Sequence, residues 1–261
     1  MTATPSKLHN PNNIILDVRD LTVSFGTLVA VNKVSFTAQR GHITAVIGPN
    51  GAGKSTLFNL ISGAITPSAG FTLFDGVDLT GHSPMALMHS GLSRSFQITN
   101  LFFELTVYEN LRLASQILEP LNNFFLPIRK SKISLDRTDE LITQFNLESK
   151  VHQLAGYLSH GEQRRLEIAV SLASRPKMLL LDEPTQGMSH ADTEQTGDLI
   201  KSLAGNVSIL LVEHDVGLVM KLSDHVVVMN QGEKLAEGLP AEVRANQAVQ
   251  AAYFGQGAKH A

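Results

Sequence analysis

The sequence predicts an α/β protein built around a parallel sheet, and three features carry that expectation. Segments 42–47, 178–181 and Ser208–Val212 are apolar without alternation, the composition of strands covered on both faces. In the last third, helical periodicity separates such segments, with Leu166, Ala169, Val170 and Ala173 on one face and Leu199 and Leu203 on another. That alternation of strand and helix is what βαβ units on a parallel sheet produce. A glycine-rich turn, finally, joins segment 42–47 to the helix-like stretch 56–61.

Taken in order, residues 1–13 are polar and carry Pro5 and Pro11, so they are expected to form a disordered tail and lack the apolar stretch of a secretory signal. A single folded domain is expected over 14–255, with a short tail at 256–261. From Ile14, Leu16 and Val18 alternate with Asp17 and Arg19, and Val23 and Phe25 continue a period of two, which with 34–38 reads as antiparallel sheet. Strand character resumes over 71–79 around Asp75-Gly76, a hairpin turn pair. Residues 84–154 are mainly helical, interrupted by a loop-like stretch at 122–132, and form a candidate subdomain. Near the end, 226–229, the Gln231-Gly232 turn and 234–236 suggest a hairpin, and Pro240 opens a terminal helix where its missing N–H is harmless.

Composition narrows the function. Lys and Arg number 21 against 24 Asp and Glu, a formal charge of -3, which gives no reason to expect affinity for a nucleic-acid backbone. With 43% hydrophobic and 17% charged residues, the 261-residue chain can bury a large core. It has no cysteine, hence no disulfide, thiolate metal site or cysteine nucleophile. No apolar run approaches the ~18 residues of a spanning helix. The expectation is a soluble, cytoplasmic protein that meets a membrane only through a partner.

Gly48-Pro49-Asn50-Gly51-Ala52-Gly53-Lys54-Ser55 fits G-x-x-x-x-G-K-[ST] between a predicted strand and a predicted helix. The glycines let consecutive N–H groups point inward, and the helix N-terminus adds its partial positive charge, so the loop is an anion site. Lys54 would neutralise β- and γ-phosphates, Ser55 would offer a hydroxyl to Mg²⁺, and Thr56 one to a phosphate oxygen.

The apolar strand at 178–181 ends in Asp182-Glu183. Consecutive strand residues point to opposite sides, so Asp182 would hold a water on Mg²⁺ while Glu183 deprotonates the water attacking the γ-phosphate. Alone, such a pair reads as a solvated loop; beside a phosphate loop it does not. His214 follows the next strand, at the C-terminal edge where parallel sheets bind ligands, and could hydrogen-bond the γ-phosphate. Ser159 with Glu162 forms a capping box at the start of the helix that carries Leu166. Ser159 and Gly161 are also a second anion site that this chain's own phosphate loop does not need, and another subunit's nucleotide is an obvious use for it.

Together, Gly48 to Thr56, Gln97, Leu158 to Gln163, Leu181 to Pro184 and His214 resemble, in order and spacing, the ATP-binding cassette (ABC) family of transporter ATPases over about 14–254. The resemblance implies a P-loop NTPase (RecA-like) core, an antiparallel β subdomain and a helical subdomain inserted at about 98–174. It implies two subunits sandwiching two ATP molecules with Mg²⁺, at the cytoplasmic face of the cell membrane beneath transmembrane permeases. In that family's pattern Phe25 matches the aromatic that stacks on adenine and Gln97 the glutamine that touches Mg²⁺ and senses the membrane partner. Ser159 and Gly161 match the signature that binds the opposite subunit's γ-phosphate.

Asn32, the run from Leu101 to Leu111, the run from Glu162 to Ala169 and the ending from Glu242 to Gly255 are similar to branched-chain amino acid importers, and 117–139 matches an insertion in one of their two ATPase subunits. The resemblance therefore implies a related second ATPase subunit, with a homodimer as the alternative, and an external substrate-binding protein. Urea or short-amide import and lipid or lipopolysaccharide export are the alternative transport readings. ABC ATPases acting on DNA or ribosomes would carry a long coiled coil or two cassettes, and neither is present. Two positions depart from the family: His160 stands where the signature usually has glycine, and Gly187-Met188-Ser189 lacks the usual aspartate. Arg129, Lys130 and Lys132, near Phe124 and Phe125, read as a solvated loop over a small apolar cluster in preference to a lipid contact.

Overall fold

The computed structural model describes residues 13–95, 101–120 and 131–254. In chain order they begin with β1 (Ile14–Phe25), β2 (Leu28–Gln39), β3 (Ile43–Ile47), α1 (Lys54–Ile61), β4 (Ala69–Phe74) and β5 (Val77–Asp78). The middle holds α2 (Pro84–Ser90), β6 (Leu92–Arg94), α3 (Val107–Ser115), α4 (Lys132–Gln144), α5 (His160–Leu172), β7 (Met178–Asp182) and α6 (His190–Leu203). The rest is β8 (Ser208–Val212), α7 (Val216–Leu222), β9 (His225–Asn230), β10 (Glu233–Gly238), α8 (Pro240–Ala245) and α9 (Gln247–Phe254). The chain divides into two compact units, one from the segments up to Pro84 and from Ala204 onward, the other from Met85–Leu203.

In the first unit, an antiparallel sheet runs β2-β1-β4-β5. Leu16 and Val18 face its core, and a register shift around Asp20, whose φ is 47°, moves the inward set to Leu21 and Val23. The extra residue of this bulge explains how an even-numbered inward pattern becomes odd within one strand. Phe25, the next residue in that period, is exposed. Asp75 and Gly76, at φ 53° and 80°, form the β4–β5 turn with both central residues left-handed, as a tight hairpin requires.

The unit's second layer has strand order β10-β9-β3-β8. β3 lies parallel to both neighbours, with Ala45 opposite Leu211 and Val226. All five residues of β3 and of β8 are buried, as expected where both faces are covered. The terminal helix expected after Pro240 is two helices, because Asn246 is extended and its Oδ1 accepts from Ala248 N at 2.9 Å, capping α9.

In the second unit, β6 lies parallel to β7, with Leu92 opposite Met178 and Arg94 opposite Leu180. The sequence reading missed β6, three residues within a stretch read as helical, too short to show a period and specified by pairing with β7. α3 opens with a Thr106–Glu109 capping box, and the buried Asn110 side chain accepts from Phe102 N at 2.8 Å and donates to Thr106 O at 2.9 Å. α5 buries Leu166, Ile168, Ala169 and Leu172, whereas Val170, expected on the buried face, is half-buried.

Candidate functional site

The phosphate loop follows β3 in the first unit. A side chain at Gly48 would place its Cβ 2.3 Å from Met229 O, and one at Gly53 2.6 Å from Ala30 O with φ at 95°, so both positions require glycine. The loop is gripped from behind: Gly232 N donates to Ala52 O at 3.0 Å, and Asn32 N donates to Gly232 O at 2.8 Å. Gly53 caps α1 without a side-chain hydrogen bond, and no acidic residue sits in the first turn. Those first N–H groups and the helix dipole favour an anion. Pro49 is half-buried, Asn50, Gly51 and Ser55 are exposed, Ala52 is buried and Thr56 is half-buried. Lys54 is only 5% exposed, and its Nζ donates to Gly48 O at 2.8 Å and Pro49 O at 3.1 Å. The ammonium is thus held by the loop it would serve.

Tyr253 on α9 brings its hydroxyl to the Gly48 backbone, and burial pushes the phenol up to about 12. Phe25 ends β1 beside the β1–β2 turn at 51% exposure, next to the exposed Leu28 and Val29, an apolar surface suited to a flat ring. His214, exposed, follows β8, and its backbone N–H donates to Oε2 of the buried Glu213 at 3.0 Å. Asp215 caps α7 by accepting from Leu218 N at 3.0 Å.

The second unit holds the carboxylates. Asp182 ends β7 with its side chain wholly buried; Oδ2 accepts from Arg94 Nη2 at 3.1 Å, and Oδ1 has no hydrogen-bond partner among the described residues. Burial raises the Asp182 carboxyl above the usual range, Arg94 opposes this, and the charge of Glu183 adds to it. Glu183, 8% exposed, has φ 48°, so the strand alternation expected of the pair ends at Asp182. Arg164 on α5 spans the turn, donating to Asp182 O at 2.9 Å, Glu183 O at 3.2 Å and Pro184 O at 3.1 Å. His160, Gln163, Arg164, Glu167, Asp182, Glu183 and Gln186 line a small polar cavity. Sequence reasoning missed Arg94 and assigned no role to Arg164; charged residues beside apolar positions were the one available signal.

Ser159 caps α5: Glu162 N donates to its Oγ at 3.3 Å and Ser159 N donates to Glu162 Oε2 at 2.8 Å. Ser159 and His160 are exposed, while Gly161 is buried and a Cβ there would meet Asp192 Oδ1 at 3.0 Å. The departure at Ser189 has a local role. Its Oγ accepts from Asp192 N at 3.2 Å and donates to Asp192 Oδ2 at 2.7 Å, capping α6.

Gln97 lies outside the described residues, as do Phe124, Phe125, Arg129 and Lys130. Among the described residues no group of three or more His, Cys, Asp and Glu could cage a metal. The donors present suit Mg²⁺, which keeps its waters and takes one or two protein ligands with phosphate oxygens. The buried acceptor Asp182 Oδ1, with no donor of its own, fits a metal-bound water. No helix among the described residues is long and apolar enough to cross a membrane.

The profile of the ABC transporter family matches residues 31–186, and that of the branched-chain amino acid ATP-binding cassette transporter family matches residues 233–259. The high-affinity branched-chain amino acid transport ATP-binding protein BraF of Pseudomonas aeruginosa is 39% identical over 252 residues, covering 93% of this chain and 98% of that protein. The corresponding LivG of Escherichia coli is 38% identical over 250 residues, covering 93% and 98%. An ATP-binding cassette of an ABC transporter, crystallised in its ADP conformation, superposes with a TM-score of 0.83 at 32% identity, covering 93% of this chain and 99% of that one. A nucleotide-free cassette gives 0.80 at 31%, covering 92% and 98%. The chain belongs to the ABC transporter family. It is a nucleotide-binding transport ATPase with the P-loop α/β fold of that family, of the kind that associates with transmembrane permeases.

Proposed function

We propose that this chain is the ATP-hydrolysing subunit of an importer for branched-chain amino acids, working at the cytoplasmic face of the membrane beneath its permeases. One observation carries the reading: relatives named for that transport align over 93% of the chain, and the branched-chain profile matches its C-terminal segment. Residues 14–255 act as one cassette with a helical insertion at about 98–174.

In this reading the N–H groups of Asn50 to Thr56 receive the phosphates, Lys54 turns its ammonium from the carbonyls of Gly48 and Pro49 to the β- and γ-oxygens, and Phe25 stacks on adenine. Ser55, Gln97 and, through water, Asp182 would hold Mg²⁺, which when bound would supply charge neutralisation to the phosphates. Arg94 favours the ionised form of the Asp182 carboxyl and, by its hydrogen bond to Oδ2, aims it. Glu183 takes a proton from water as that water attacks the γ-phosphorus; the bond to the β-phosphate oxygen breaks, and ADP and inorganic phosphate leave. His214 holds the attacking water against the γ-phosphate. Ser159 and Gly161 reach the γ-phosphate held by a second, related ATPase subunit, so ATP closes the pair and hydrolysis reopens it. Gly161 acts there through its backbone N–H, and an added Cβ would crowd Asp192 Oδ1 at 3.0 Å.

The test is reconstitution of the chain in vesicles with its permeases, second ATPase subunit and substrate-binding protein. Leucine-loaded binding protein should stimulate ATP hydrolysis and drive leucine uptake. Stimulation by urea but not leucine, or lipid release without uptake, would overturn the assignment.

A further inference from the structure

Arg164 is the most heavily engaged side chain near the carboxylates. Its Nη2 donates to Asp182 O and Glu183 O at 2.9 and 3.2 Å, its Nε to Pro184 O at 3.1 Å, and its Nη1 pairs with Glu167 Oε2 at 2.7 Å. Arginine and glutamate are both largely buried. Three successive carbonyls at the end of β7 accept from this one side chain, Glu183 O also accepting from Gln186 N at 3.2 Å, and buried carbonyls need donors. The turn they define holds Glu183 at φ 48°, a conformation that side-chain-bearing residues rarely keep unless their surroundings impose it. Only a planar fork of fixed donors reaches successive carbonyls and a carboxylate at once; an ammonium is a point donor.

We propose that Arg164 is a positioning residue for hydrolysis. Its guanidinium fixes the left-handed backbone of Glu183, and with it the direction of the carboxylate. It thereby ties the hydrolytic turn to α5, whose N-terminus presents Ser159. Any displacement of α5 when Ser159 takes up a partner's phosphate is transmitted through the guanidinium to Glu183 of the same chain. Sealing one nucleotide is thus coupled to cutting the other. The inference rests on the reading of Glu183 as the base.

The test compares Arg164→Gln and Arg164→Lys, each alone and combined with Glu183→Gln, using kcat, KM for ATP, equilibrium binding of a fluorescent ATP analogue and the thermal midpoint. A misdirected carboxylate should lower kcat about 100-fold. Binding and KM should stay within about threefold, because only a transition-state contact is lost. Arg164→Lys, keeping the charge but not the fork, should fall between. In the Glu183→Gln background, Arg164→Gln should slow turnover no further, since it acts through the missing base. A kcat for Arg164→Gln within about twofold of wild type overturns the proposal, as does an equal fractional loss in both backgrounds. Should Arg164→Gln lose its cooperative thermal transition, Arg164→Lys makes the same comparison. Normal turnover by Glu183→Gln alone would sink the base assignment and this inference together; slow Glu183→Gln with normal Arg164→Gln sinks this inference only.

Discussion

Replacing Arg94 by methionine isolates what the Arg94–Asp182 pair contributes. The Asp182 side chain is wholly buried, Arg94 is its hydrogen-bonding cation at 3.1 Å, and Oδ1 already lacks a partner among the described residues. Removing one member of a buried pair costs about 3–5 kcal/mol, because the remaining charge keeps its desolvation penalty. Arg164 also acts electrostatically on Asp182, which places the expected loss near the lower end, about 3 kcal/mol. Arg94→Met with Asp182→Asn removes both charges of the pair and should recover most of that loss.

Urea denaturation of the single and double variants reads these values, and pH supplies a second check. Burial already raises the Asp182 carboxyl, and Arg94 is the main influence opposing the rise; without it the folded-state value climbs further. A carboxyl whose folded value lies above its unfolded value destabilises the protein when ionised, at pH above the folded value. That cost disappears as pH falls through it. The Arg94→Met deficit should therefore shrink on acidification, and the double variant should show no such trend. A deficit under about 1 kcal/mol, the worth of an exposed pair, would refute the argument. So would a pH-independent deficit, or a double variant no more stable than the single.

Other consequences follow from the same geometry. Gly53→Ala meets Ala30 O at 2.6 Å with φ at 95°; left-handed strain of about 1–2 kcal/mol plus that clash should distort the loop and weaken ATP binding at least about tenfold, read by calorimetry, and unchanged affinity would refute it. Ser159→Arg, at an exposed cap, should block ATP-dependent pairing while one chain still binds nucleotide; sedimentation showing normal pairing would count against a cross-subunit role. Tyr253, raised to about 12 by burial, should ionise only in strong alkali. Its proton is kept in the folded state above the unfolded value of about 10, so stability should fall as pH rises through that window. Tyr253→Phe should abolish the late phenolate transition in absorbance, and its persistence would refute the assignment to Tyr253.

The turn between β3 and α1 was legible in the sequence because its shape is local: Gly48 and Gly53 stand where a Cβ would clash, and Lys54 bonds carbonyls of its own loop. The Ser159–Glu162 box and the Asp75-Gly76 turn were legible for the same reason. Arg94 was not, because its partner is 88 residues away and meets it only after β6 pairs with β7. Arg164 sat within a helical period, where a charge reads as solvent-facing until the carbonyls it serves are placed. Glu183 was expected to continue strand alternation, and its left-handed turn depends on donors from another element. At Ser189 the missing aspartate marked a departure, but the capping of α6 became visible only with Asp192 in place.

The most direct test of the account is ATP turnover by Glu183→Gln. Glutamine keeps the size of the side chain and cannot take the proton, so the variant should retain Mg-ATP with near-wild-type affinity. Its hydrolysis should slow by about 10²–10⁴, the usual contribution of a general base. Hydrolysis at the wild-type rate would contradict the assignment of Glu183 and the mechanism built on it.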